Sequence, residues 1–198
     1  MRAMTWRERN WPDGSAEAAQ SPECRGHRCE RKARLRSVHL LKSAQVQLAE
    51  VLGKRCYKKI ADVPETVDLC VVIVNKSLVI SALEDVAACG CRAAIVYASG
   101  YGETGDKAAE AELCEAAKRL DMAVMGVNCA GFMNCTKGIY PFGMLFSSAK
   151  SGGIAIISQS GKICLNMSQV DSMGYSYLIS SGNSTCLLIE DYIEFLID

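Results

Sequence analysis

The sequence predicts an α/β fold organised as a doubly wound parallel sheet. Two observations carry that expectation. Short, continuous apolar runs recur along the chain, the form a strand takes when both of its faces are buried. Between them lie stretches with apolar residues at helical spacing. Repeated strand–helix–strand units imply parallel strands joined by right-handed crossovers. A hydrophobic fraction of 49% over 198 residues supplies enough apolar surface for a core.

Residues 1–38 show no sustained apolar period and are punctuated by Trp6, Trp11, Pro12, Gly14, Pro22 and Gly26. Residues 1–42 are therefore read as a basic, poorly ordered tail. From residue 43 the pattern changes. Val46, Leu48, Val51 and Leu52 predict a short helix ending at Gly53, and 55–57 a short strand. The run DLCVVIV at 68–74 predicts a buried strand, and Leu78, Ile80, Leu83 and Val86 place a helix over 77–88. A second buried strand is predicted at 92–98 (RAAIVYA), a helix over 106–120, and a third strand at 122–126 (MAVMG). Residues 128–150 are long and irregular, too long for an ordinary connection, and read as a domain junction. A fourth strand at 153–158 (GIAIIS), a helix over 161–173, a strand at 175–180 and a helix over 187–196 complete the chain. The expected organisation is a tail (1–42), a first domain (43–150) and a truncated second domain (151–198), too small to stand alone.

Composition removes several function classes. Residues 1–38 hold 9 Lys/Arg against 5 Asp/Glu, net +4, so the remaining 160 residues of this neutral chain are net −4. A mildly acidic folded part is a poor match for nucleic acid, and the five acids of the tail disfavour a transit peptide. No apolar run approaches a membrane span, and no secretory leader pattern opens the chain. Eleven cysteines without a framework, several inside apolar runs, fit a reducing cytoplasm. No C-x-x-C occurs, and the Cys24, His27, Cys29 cluster lacks a second ligand pair, so no metal site is expected. His27 and His39 are the only histidines, which excludes a Ser-His-Asp triad beyond residue 40.

Four turns at strand ends carry candidate chemistry. Gly100, Gly102 and Gly105 match G-x-G-x-x-G, but no acidic residue ends the strand at 122–126, and Glu103 stands where a pyrophosphate would approach. A glycine-rich turn into a helix explains the same residues. Ser158-Gln159-Ser160-Gly161 joins a buried strand to a helix, where free N–H groups suit an anion or the hydroxyls simply cap the helix. Gly126-Val127-Asn128-Cys129-Ala130-Gly131 follows the third strand at the edge where open α/β sheets bind ligands, and Gly182-Asn183 follows the fifth in the same way.

Taken in order, LGKRCYKKIADVPETVDLCVVIV (52–74), YASGYGETG, GVNCAGFMN, GIAIISQSG and SSGNS resemble the NDP-forming acyl-CoA synthetases, relatives of the succinyl-CoA synthetase α subunit. The resemblance covers about residues 50–198. It implies a Rossmann-like CoA-binding domain followed by the start of a flavodoxin-like ligase domain. It also implies acid–thiol ligation through an acyl phosphate and a phosphohistidine. By the same resemblance Val74, Asn75 and Lys76 match one turn touching CoA, and Ser99, Gly100 and Tyr101 match the next. Asn128 and Cys129 match the Asn-Cys near the CoA thiol. Ser158, Ser160 and Gly161 match the helix N-terminus that holds phosphate. The family's first strand and phosphate-cradling Gly-rich turn are expected to be missing, as are the phosphohistidine loop and the ATP-grasp part. Val127 stands where the family has Pro.

These readings imply weak CoA binding and no catalytic residue in this chain. ATP/ADP and Mg would enter only through the missing parts or an ATP-grasp β-type subunit. An uncovered apolar helix face (Ile163, Leu165, Met167, Val170) predicts self-association. A noncatalytic CoA-responsive module and a degenerate fragment stand as alternatives.

Overall fold

The computed structural model describes residues 37–40, 50–51, 54–144 and 149–197. Strand β1 (Ser37–Leu40) precedes a two-residue antiparallel pair, β2 (Glu50–Val51) with β3 (Lys54–Arg55). β4 (Leu69–Val72) is buried at every position, as its LCVV sequence requires. Helix α1 (Val79–Ala88) follows a 3-10 turn at Lys76–Leu78 and buries Val79, Ala82, Leu83 and Val86, one face at helical spacing. β5 (Ala93–Val96) is again wholly buried. Asp106 caps α2 (Lys107–Arg119), its side chain accepting a hydrogen bond from Ala109 N, and α2 buries Leu113, Ala116 and Ala117. β6 (Ala123–Gly126) completes a four-stranded parallel sheet of order β1-β4-β5-β6.

A second sheet holds β7 (Gly131–Asn134), β8 (Ser151–Ser158) and β9 (Tyr175–Ser180) in the order β7-β9-β8. β8 runs parallel to β9 and β7 antiparallel. α3 (Gly161–Ser168) connects β8 to β9, and α4 (Ile189–Ile197) ends the described chain.

Strand alternation distributes the core. Cys70, Val72, Ala94, Val96 and Val124 face α1 and α2. On the opposite face Leu69, Val71, Ile95 and Met125 pack against Phe132 of β7, Ile179 of β9 and Tyr192 of α4. Leu178, the neighbour of Ile179, turns the other way to meet Met133, Tyr175 and Cys164 of α3. The first sheet is thus sandwiched between its own helices and the second sheet.

Several expectations are corrected. The first strand is present: β1 pairs in parallel with β4 from Ser37↔Leu69 to Leu40↔Val72, inside the segment read as a tail. Its polar SVHL sequence hid it from an apolar-run criterion. Glu50 and Val51, expected in a helix, lie in β2, and the strand expected at 55–57 is Lys54–Arg55; the rest of that helix falls outside the described residues. The irregular stretch 128–150 contains β7, so the second sheet takes its first strand from before residue 151. GIAIIS, expected to be buried, is exposed along much of β8, which lies at the edge of the described sheet with Ile154 43% exposed. Helix 161–173 stops at Ser168. On it Ile163 is exposed, whereas Leu165 and Met167 are half-buried, as is Val170 beyond its end.

Candidate functional site

Parallel strands deliver their carboxyl ends to one edge, so the turns after β4, β5 and β6 converge. After β4, Val74 packs into the core beneath α1, while Asn75 is exposed at the start of the 3-10 turn. Lys76 crosses to the next turn. Its Nζ donates to Gly100 O and to Asp106 Oδ2 (2.5 Å), and stands 4.9 Å from the centre of the Tyr101 ring. The hydrogen bond from Lys76 holds the Asp106 carboxyl below its ordinary range. Tyr101 is buried, and burial, reinforced by nearby Cys186 and Glu103, pushes its phenol up to about 12.

The turn after β5 decides the G-x-G-x-x-G question. Ser99 is exposed, and Gly102–Thr104 form a 3-10 turn that ends in Gly105 at φ 87 before α2 begins. The carboxylate of Glu103 accepts from Gly100 N, from Tyr101 N (3.2 Å) and from Asn183 Nδ2. Desolvation works to raise the Glu103 pKa, but these hydrogen bonds prevail and hold it low. The backbone donors that a dinucleotide phosphate would need are already filled by the chain's own carboxylate.

After β6 the chain makes a tight corner. Gly126 has φ 103, and a side chain there would meet Val96 O at 2.5 Å. Asn128, exposed, donates from its backbone to Ala98 O and from Nδ2 to Asn183 Oδ1 (3.3 Å). Burial drives the Cys129 thiol up to about 12, which disfavours its thiolate at neutral pH.

The second sheet brings the remaining predicted residues to the same seam. Ser160 N donates to Ser158 Oγ (3.1 Å), and the Ser160 hydroxyl makes no cap although it stands at the N-cap of α3. A side chain at Gly161 would collide with Ala130 and crowd Met144, so this turn lies directly against Ala130 in the turn after β6. Ala130 N donates to Ser180 Oγ (3.1 Å), and Ser181 N to Ser158 O (2.9 Å). Sequence reasoning missed Asp106 as the partner of Lys76, thirty residues away, and Ser180. Asp106 was legible as a helix cap after Gly105, but its ion pair was not.

Among the described residues no group of three or more His, Cys, Asp or Glu could hold a metal; Cys24, His27 and Cys29 lie outside them. Among the same residues no helix is long and apolar enough to cross a membrane.

Comparison with known proteins agrees with this geometry. Residues 26–134 match the CoA binding domain family, and 151–198 the succinyl-CoA ligase like flavodoxin domain. An ADP-forming acetate–CoA ligase of Methanocaldococcus jannaschii is 32% identical over 75% of this chain and 21% of its own length. The α subunit of the ADP-forming acetate–CoA ligase II of Pyrococcus furiosus is 34% identical, over 77% of this chain and 34% of its own. An acetyl-coenzyme A synthetase 1 of Ca. Korarchaeum cryptofilum, solved with phosphate and ADP, superposes with a TM-score of 0.66 at 30% identity, covering 75% of this chain and 32% of that one. A crystal structure from Pyrococcus horikoshii gives 0.71 at 32% identity, over 77% and 36%. The chain thus spans about a fifth to a third of the curated relatives it matches. With more than half of its length inside the matched region, the chain belongs to the CoA-binding domain family, joined to a segment of a succinyl-CoA ligase like flavodoxin domain.

Proposed function

We propose that this chain is the CoA-binding portion of an NDP-forming acyl-CoA synthetase, an acid–thiol ligase whose nucleotide-handling parts lie elsewhere. The observation that carries the reading is the convergence of three post-strand turns on one sheet edge, within a chain of the CoA-binding family. Asn75, Ser99 and Asn128 are exposed there and offer amide and hydroxyl groups suited to the amide-bearing arm of CoA. Cationic help is scarce. Lys76 is engaged by Asp106, and the donors at Gly100 and Tyr101 are taken by Glu103. Residues 41–49 (LKSAQVQLA) follow β1 without a glycine, so they supply no Gly-rich phosphate turn. Binding is therefore weak. ATP or ADP with Mg would be handled by an ATP-grasp β-type partner, and a relative described as a subunit supports a divided enzyme. The exposed edge of β8, with Ile154, and the exposed Ile163 of α3 are the surfaces through which the chain would associate with a partner or itself.

Turnover tests the reading. The purified chain, given ATP, Mg, CoA and acetate, is expected to make no acyl-CoA, because an imidazole must carry phosphate and His27 and His39 match no family loop. Product formed without a partner would overturn the division of labour.

The turn at Ser158–Gly161 is proposed as the anion-binding end. α3 presents its first N–H groups there, and the Ser160 hydroxyl is exposed and uncommitted to capping. Ser158→Ala and Ser160→Ala should each weaken phosphate binding by about 1 kcal/mol, roughly fivefold. Unchanged affinity, read by titration with inorganic phosphate, would place the anion elsewhere.

A further inference from the structure

Two cysteines far apart in sequence meet across the joint between the sheets. Cys114 lies on α2 and Cys186 in the loop between β9 and α4, with their sulfurs 3.5 Å apart. Both are half-buried, so a small oxidant can reach them. The Cys114 thiol also contacts Thr185 O at 3.2 Å. The loop that carries Cys186 reaches into the candidate site. Asn183 bonds Glu103 and Asn128, Thr185 N donates to Gly126 O, and Thr185 Oγ1 donates to Glu110 at 3.2 Å.

We propose that Cys114 and Cys186 form a reversible disulfide that fastens this loop to α2, making the pair a redox-modification site. The reaction balances with hydrogen peroxide as oxidant. The Cys114 thiolate attacks a peroxide oxygen, the O–O bond breaks, and a sulfenic acid forms with loss of hydroxide. Cys186 then attacks the Cys114 sulfur. An S–S bond forms, the S–O bond breaks, and the Cys186 proton leaves with the hydroxyl as water. Two electrons pass from the two sulfurs to one peroxide, and a dithiol reductant reverses the step.

The electrostatics agree with the geometry. The hydrogen bond between the two thiols is the chief influence on Cys114 and, with Lys118, outweighs desolvation and the carboxylates of Glu110 and Glu115, bringing the thiol down to about 7. Burial pushes Cys70, Cys91, Cys129, Cys135 and Cys164 the other way. Of these described thiols, Cys114 is the one best placed to react first.

The test uses the full chain and two substitutions. Peroxide followed by blocking of remaining thiols and tryptic mass mapping should join the peptide 108–118 to the C-terminal peptide, two mass units lighter than the reduced pair. Fragment ions must place the bond at Cys186 rather than at Cys164, which shares its peptide. Cys186→Ser keeps a hydroxyl donor but cannot form the bond, so iodoacetamide should still label Cys114 rapidly at pH 7. Cys186→Ala removes the donor. The thiolate fraction then falls, partly offset by higher intrinsic nucleophilicity, and labelling should slow severalfold. Dithiothreitol should restore the reduced mass. A bond to Cys164, accumulation of higher oxides on Cys114 with no cross-link, or labelling indifferent to Cys186→Ala would overturn the proposal.

Discussion

Gly126→Ala is expected to cost about 3–5 kcal/mol, the largest single loss of stability among the substitutions considered. The residue ends β6 at φ 103, a conformation that L side chains rarely adopt. A methyl group there would sit 2.5 Å from Val96 O and 3.0 Å from Cys129 Sγ, and the first of these atoms belongs to the backbone of β5, which cannot retreat. Against a total of about 5–15 kcal/mol for an ordinary domain, such a loss leaves little margin. Gly138→Ala is the control. Its φ of 68 is also unfavourable for alanine, but nothing stands within 4 Å of the added methyl, so about 1 kcal/mol should be lost. Urea unfolding of the two variants separates backbone conformation from collision, and equal costs would contradict the account of this corner.

Glu103→Ala is expected to lower stability by about 2 kcal/mol. Hydrogen bonds to a carboxylate contribute roughly 1.5–3 kcal/mol each when shielded, and solvent screening of this exposed group reduces that figure. What is lost is the tie from the turn after β5 to Asn183, in the loop after β9. The same group predicts a pH dependence. Its folded-state pKa lies below the ordinary 4.5, so its contribution is present above that pH and disappears as pH falls through the folded value. The gap between the native chain and Glu103→Gln, measured by urea titration, should therefore be widest near pH 7 and close as pH falls through the lowered folded value. A gap that does not change with pH would contradict the hydrogen-bonded carboxylate.

The sheet around β4, β5 and β6 was legible because burial on both faces demands unbroken apolar runs, which LCVV, AAIV and AVMG supply. β1 was not, since SVHL shows no such run and its pairing with β4 is a long-range fact. β7 escaped for a related reason. GFMN reads as a loop beside its glycines, and it is a strand only because β9 lies antiparallel to it. The candidate turns were legible from their position after buried strands. The ties among them were not: Lys76 with Asp106, Glu103 with Asn183, and Ala130 with Ser180 join residues that topology alone brings together. Glu103 shows the gain from seeing the contacts. The sequence marks it as an obstacle to a pyrophosphate, and the structure shows its carboxylate seated on the backbone donors themselves.

Calorimetric titration of CoA into the full 198-residue chain tests the central reading most directly. The proposed CoA edge, read as holding the arm of CoA without a Gly-rich phosphate turn, predicts saturable one-site binding with a dissociation constant between about 10 μM and 1 mM, or roughly −7 to −4 kcal/mol. Submicromolar affinity would contradict the missing cradle, and no saturation at millimolar CoA would contradict the site itself.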